Sequence, residues 1–366
     1  MLNRRSLVFS SGAALAFPPA RAADTSPSRD SIPALLAQAI ADARKFPCSG
    51  IVAGLLDARG QRIVTQGTSD AANGRPLDGE TVFDIASITK LFTVLALADM
   101  VVRGQMAMED PLGKYLPPDV RVPDFQGQPI TLLDVVTYAP GLPGWPADLP
   151  ALSPAPFPDY STGQLYQALA KVKLDAAPGT HYLYSNFGFG LLGLALARHA
   201  GMDFESLIVS RICHPLGMES TRIKPTPDMQ ARISPGHYQN LVKVKSWNMP
   251  PAFAGAGAFR STANDLLKFL AAAMGLKPSL LAPAFAEMLK TQRPSDQPDT
   301  QAAAGWFVTR GHGDRLIWKD GGVLGYSSFI GYSAIHHNGA VVLANGNSGV
   351  LNLGKHLLDA KFPVPG

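Results

Sequence analysis

Ser87-Ile88-Thr89-Lys90 stands where an extended run, residues 81–85, gives way to an apolar segment, residues 91–102. Leu91, Leu95, Leu97, Ala98 and Val101 recur at three- to four-residue spacing, which predicts a helix. A serine in the first turn of that helix lies among amides without an intrahelical acceptor, at the end where the dipole favours negative charge. Lys90, one turn on, projects from the same face. Serine is a weak nucleophile until a neighbour takes its proton. A lysine that is desolvated and close to a second cation is neutral enough to do so. Ser-x-x-Lys by itself arises by chance, and a helix-start serine is ordinarily a cap. The motif therefore gains weight only from matching partners downstream.

Two later segments supply such partners. Tyr184-Ser185-Asn186 directly precedes a predicted helix. A tyrosine oxygen relays protons when nearby cations lower its pKa, and an asparagine amide orients a lysine or a substrate. Lys319-Asp320-Gly321-Gly322 lies near the end of a predicted strand. Its lysine supplies fixed positive charge, and its glycines let a substrate approach backbone amides that donate to an oxyanion. Each segment alone reads first as an ordinary helix start or hairpin turn. Their order and spacing carry the reading: Ser-x-x-Lys, then Tyr-x-Asn, then Lys-x-Gly.

The rest of the chain sets the frame. Its 366 residues are 46% hydrophobic and 16% charged, with a net charge of +4 and no long charged tract. That is ample for a large core in one domain or two lobes, and it carries no nucleic-acid footprint. No internal run reaches the roughly 18 apolar residues of a membrane span. Residues 1–23 read as an export signal: Arg4-Arg5, an apolar run over 7–17, and Ala20-Arg21-Ala22 as a small-residue cleavage site. The paired arginines are compatible with a twin-arginine route to the periplasm or medium. Cys48 and Cys213 are the only cysteines and read as two buried thiols, although export makes a disulfide chemically possible. No Cys/His cluster has metal-ligand spacing, so neither a metal nor a cofactor is expected.

Ser31 caps a predicted helix that is followed by two strands, residues 50–56 and 61–66, about a hairpin turn at Asp57-Ala58-Arg59-Gly60. Residues 81–298 read mostly as helices and loops. One long loop, 139–160, holds seven prolines; another, 223–258, carries Trp247 and a glycine-rich stretch at 254–258. Loops of that length are often functional. Strand character returns after Pro298, and a helix over 350–360 closes the chain. The expected architecture is α/β (α+β): a lobe from residues 31–80 and 299–366, with a helical lobe of residues 81–298 inserted between its halves.

The ordered triple of motifs resembles the penicillin-binding proteins and serine β-lactamases. Tyr184-Ser185-Asn186 as the middle element is similar to the class C β-lactamase branch. Asp110-Pro111-Leu112, Gly141-Leu142-Pro143, His214-Pro215-Leu216-Gly217-Met218, Ser261-Thr262-Ala263 and Leu343-Ala344-Asn345 extend the likeness over nearly the whole chain. The stretch from Arg121 to Pro143 looks like D-alanyl-D-alanine carboxypeptidase/endopeptidases of that branch. The resemblance implies an antiparallel sheet flanked by helices plus a helical lobe, with the site in the crevice between them. It implies Ser87 as the acylated nucleophile, with Lys90 and Tyr184 sharing the proton traffic. Asn186 would hold Lys90 and the substrate, Lys319 would keep the site electropositive, and the amides of Ser87 and Gly322 would bind the oxyanion. The implied partners are a small peptide or β-lactam substrate and peptidoglycan; the oligomeric state stays open. Two positions depart from the pattern. Asp320 stands where a threonine or serine usually meets the substrate carboxylate, beside Gly321, and Trp145 stands where class C β-lactamases tend to carry glutamine. If Asp320 pairs with a neighbouring cation or turns away from the site, a carboxylate would be received elsewhere, near Asn345 or Asn347.

Overall fold

The computed structural model describes residues 27–28, 30–41, 48–150, 159–244, 248–347 and 349–363. The expected export signal and Trp247 lie outside the described residues. Eight strands form one antiparallel sheet: β1 (Gly50–Asp57), β2 (Gly60–Gly67), β7 (Gln292–Pro294), β8 (Thr300–Ala303), β9 (Phe307–Gly311), β10 (Asp314–Val323), β11 (Tyr326–Ser333) and β12 (Gly339–Ala344). Their spatial order is β2-β1-β12-β11-β10-β9-β8-β7. Two short ribbons stand apart, β3 (Phe83–Asp84) with β6 (Arg260–Ser261), and β4 (Asp124–Phe125) with β5 (Gln128–Pro129).

The β1–β2 hairpin closes at Asp57 opposite Gly60, as its turn residues predict. β1 then pairs with β12, so the two ends of the chain complete one sheet. β11 and β12 are buried along their whole length, as strands covered on both faces must be. Helices Ile32–Ala41, Ala263–Ala273 and Val350–Leu358 pack on the sheet. The sheet reaches further back in the sequence than expected, because β7 falls within the stretch assigned to the helical lobe. β7 and β8 are short and carry Gln292, Arg293, Pro294, Thr300 and Gln301, so no apolar alternation marks them as strands.

Helix Thr89–Val102 is the core of the other half. Every residue from Thr89 to Met100 is buried, so this helix is enclosed all round rather than packed on one face. Helix Asn186–Ala200 packs beside it and ends at Gly201 in the left-handed conformation. The long loop at 223–258 contains helix Pro227–Arg232 and the single turn Ala254–Gly257, neither of which the sequence pattern marked. Cys48 and Cys213 are both buried thiols.

Candidate active site

Ser87 lies one step before the expected helical turn. It occupies a tight 3-10 turn, Ala86–Ile88, that feeds into helix Thr89–Val102. Ala86 has φ of 46°, a left-handed conformation that costs a residue bearing a Cβ about 1–3 kcal/mol. The surroundings hold the turn in place. The Ser328 hydroxyl donates to the Ile85 carbonyl at 2.8 Å, and the Ile85 amide donates to the Phe259 carbonyl at 3.1 Å. β10 comes so close that a Cβ on Gly321 would sit 2.4 Å from the Ile85 oxygen and 2.9 Å from the Ser87 nitrogen. Glycine at this position is therefore a steric requirement. Gly322, the next residue, is exposed, with open space where its Cβ would point.

Lys90 is fully buried, and its ammonium nitrogen reaches three oxygens. It lies 3.1 Å from Ser87 Oγ, 2.7 Å from Asn186 Oδ1 and 2.7 Å from the Ala256 carbonyl. Asn186 is brought there by the start of its own helix, where the Ser185 hydroxyl caps Gly188 N and donates to the Pro143 carbonyl. The Ala256 carbonyl comes from the glycine-rich segment at 254–258, part of a loop whose length pointed to function but not to this contact.

Tyr184 stands between two cations. Lys90 Nζ is 4.8 Å and Lys319 Nζ 5.0 Å from the centre of its ring. Tyr138 stacks on Tyr184 at 5.0 Å and on Phe307 at 5.3 Å, and its hydroxyl donates to the Gly305 carbonyl at 2.7 Å. This aromatic column orients Tyr184, and no motif in the sequence announces Tyr138 or Phe307 as part of it. Burial pushes the Lys90 ammonium down to about 8, with Lys319 adding to the effect and Tyr184 opposing it. Burial alone would raise the Tyr184 phenol, but Lys319 and Lys90 outweigh it and the phenol lies below its ordinary value. Lys319 is pulled the other way: burial lowers it, while Tyr184 and Asp320 more than compensate and hold it charged.

Asp320 is partly exposed and lies 3.4 Å from Lys319 Nζ, so it pairs with a site cation at the rim of the cluster. Trp145 is half-buried and packs edge-on against Phe253 at 5.1 Å. Asn345 requires a correction. It is fully buried, and its amide serves the backbone instead of the cleft. Its Oδ1 accepts from Ser49 N and Gly50 N, and its Nδ2 donates to Ser49 Oγ, the Ser69 carbonyl and Ser234 Oγ. A buried amide with these partners has nothing left for a substrate carboxylate. Asn345→Ala should lower stability by about 3 kcal/mol, because several buried polar groups lose their partner at about 1–3 kcal/mol each. Denaturant unfolding checks this. A selective loss of affinity for carboxylate-bearing substrates, with stability unchanged, would restore Asn345 to the site.

Ser87, Lys90, Tyr184, Asn186, Lys319, Gly321 and Gly322 thus meet in one place, together with Asp320 at the edge. This arrangement can deprotonate a hydroxyl and stabilise negative charge beside it. The family model described as Beta-lactamase matches residues 38–360. The chain belongs to the beta-lactamase family. That family is one of serine hydrolases, the beta-lactamases and DD-peptidases. Among curated relatives, the D-alanyl-D-alanine-carboxypeptidase/endopeptidase AmpH of Escherichia coli (strain K12) is 35% identical over 191 residues, 52% of this chain and 48% of that protein. The match thus spans about half the length of that relative. Among solved structures, a class C beta-lactamase superposes with a TM-score of 0.79 at 20% identity, covering 92% of this chain and 97% of the other. A beta-lactamase/D-alanine carboxypeptidase from Pseudomonas syringae gives a TM-score of 0.76 at 20% identity, covering 92% and 99%. These likenesses bear out the expected fold, an antiparallel sheet flanked by helices. Among the described residues of this family member, no helix is long and apolar enough to cross a membrane.

Proposed function

We propose that the protein is an exported serine hydrolase that works through a Ser87 acyl-enzyme, as a D-alanyl-D-alanine carboxypeptidase/endopeptidase on peptidoglycan peptides. One observation carries the chemistry. Asn186 Oδ1 and the Ala256 carbonyl, the two partners at 2.7 Å from Lys90 Nζ, are pure acceptors. A neutral Lys90 amine therefore gives its two hydrogens to them and keeps its lone pair for the Ser87 hydroxyl. With the ammonium lowered to about 8, that neutral form is accessible near physiological pH.

Ser87 Oγ attacks the scissile carbonyl while its proton passes to the coupled Lys90–Tyr184 set. The oxyanion is received by the amides of Ser87 and Gly322. Collapse expels the amine, which takes its proton back from the same set. Water then repeats the sequence on the ester and frees Ser87. Lys319 supplies the fixed positive charge that keeps Tyr184 acidic. The choice of peptide substrate rests on the AmpH likeness, and intact-protein mass spectrometry tests it. A D-Ala-D-Ala peptide and benzylpenicillin should each add one acyl group at Ser87, the first turning over. Acylation by an aryl ester alone would instead make the protein a carboxylesterase. Hydrolysis of penicillin at rates above the peptide would make it a β-lactamase. A stoichiometric burst without steady state would make it a penicillin-binding sensor.

Asp320 at the rim disfavours a terminal carboxylate on the acyl donor, so within this proposal the endopeptidase cut at internal peptide bonds is favoured over the carboxypeptidase cut. Two like charges about 4 Å apart repel by roughly 4 kcal/mol at an effective dielectric near 20. The adjoining Lys319 and the solvent exposure of Asp320 reduce this to a fraction. Asp320→Thr should raise kcat/KM for a cephalosporin at least about tenfold, corresponding to ~1.4 kcal/mol, and leave a neutral aryl ester nearly unchanged. Equal effects on the two substrates would show that Asp320 does not read the carboxylate.

A further inference from the structure

Asp84 and Arg260 form an ion pair that the chemistry above does not use. Arg260 Nε donates to Asp84 Oδ1 at 2.7 Å, and both side chains are largely shielded from solvent. The two residues stand opposite each other in the β3–β6 ribbon. Asp84 lies three residues before Ser87, and Arg260 lies four residues after Ala256, whose carbonyl accepts from Lys90. Further bonds lace the same two segments together. Ile85 N donates to the Phe259 carbonyl at 3.1 Å, Phe259 N to Thr89 Oγ1 at 3.1 Å, and Thr93 Oγ1 to the Gly255 carbonyl at 2.7 Å. Arg260 is itself fixed from the far side. Its Nη1 donates to the Ile223 carbonyl at 2.8 Å, and its backbone exchanges two hydrogen bonds with Arg222.

We propose that the Asp84–Arg260 ion pair is a positioning device for acylation, locking the segment that anchors Lys90 to the turn that carries Ser87. It touches no substrate and acts through the 3.1 Å approach of Lys90 Nζ to Ser87 Oγ. The device is sensitive to protons. Burial raises the Asp84 carboxyl to about 6, against the opposing pull of Arg260. Among the described residues, the titratable and charged groups facing Asp84 are Arg260 from β6 and Tyr326 from β11, whose phenol is held neutral by burial and by Asp84 itself. As pH falls through about 6, Asp84 takes a proton, its charge is withdrawn from the Arg260 guanidinium, and the two segments slacken.

The inference rests on the reading of Ser87 as nucleophile with Lys90 beside it. The test is the pH dependence of single-turnover acylation by p-nitrophenyl acetate and by benzylpenicillin. In the wild type the rate should fall as the Lys90–Tyr184 set gains its proton, and then fall by about a further tenfold in a step centred near pH 6. Asp84→Asn imitates the protonated state. It should acylate about tenfold more slowly at pH 8, lack the step near pH 6, and leave KM within about twofold. Asp84→Glu keeps the charge and should recover most of the rate. A wild-type profile without the extra step overturns the proposal, whether or not the variants fold. So does an Asp84→Asn protein with a lowered melting temperature but the wild-type acylation rate and profile, since the pair would then be structural only. Continued labelling of Ser87→Ala would overturn the reading of the site itself, which is a separate and separately visible failure.

Discussion

Ser87→Ala is expected to abolish covalent labelling by penicillin or a fluorophosphonate and to cut turnover by at least about ten-thousand-fold. The fold should be indifferent to it. Ser87 is half-buried, and the change removes one oxygen from the reach of Lys90, which keeps Asn186 and the Ala256 carbonyl. The strained turn is held by Ser328, Phe259 and the close approach of Gly321, none of which depends on the Ser87 hydroxyl. The melting temperature should therefore stay within about 1 °C, corresponding to under about 1 kcal/mol for a chain of this length. Mass spectrometry of the labelled protein and a thermal melt check the two halves. Persistent labelling at another serine would remove Ser87 from the mechanism.

Tyr184→Phe should lower kcat by about a hundredfold or more, the usual range for a lost general acid–base group, with KM changed only a few-fold. The aromatic column should survive, because Phe presents the same face to Tyr138 at 5.0 Å. The pH profile gives a second readout. Activity in the wild type should rise with pH as the Lys90–Tyr184 set loses a proton, with an apparent pKa below that of free lysine that belongs to the set as a whole. For Lys90, burial and Lys319 lower its pKa and Tyr184 raises it. Without the phenol the opposing contribution is gone, so the residual activity should rise at lower pH than in the wild type. Stopped-flow acylation over pH 5–10 measures both effects. Unchanged turnover would exclude Tyr184 from proton transfer, and a rise moved to higher pH would show that Tyr184 does not hold the Lys90 proton in place.

Much of this architecture is legible from local sequence, because local physics determines it. The apolar period of residues 91–102, the turn residues from Asp57 to Gly60 and the capping Ser185 each describe a structure within a few residues of themselves. Ser87 and Lys90 need only one turn of chain to face each other, at 3.1 Å. The three motifs, read in order, also name most of the site. The rest depends on groups remote in the chain. The Ala256 carbonyl that completes the Lys90 environment lies 166 residues from it, and a backbone oxygen leaves no mark in the sequence. Tyr138, Gly305 and Phe307 build the column behind Tyr184 only because packing brings them together. β7 and β8 were invisible because their residues are too short and too polar a run to show alternation, and they are strands only by pairing with β9 and each other. Asn345 could serve a substrate or a backbone with the same amide, and only its burial among Ser49, Gly50, Ser69 and Ser234 decides for the backbone. Sequence alone thus determined which groups can do the chemistry; tertiary structure decided which of them are desolvated and close enough to shift one another's protons, because burial and distance are properties of the packed chain.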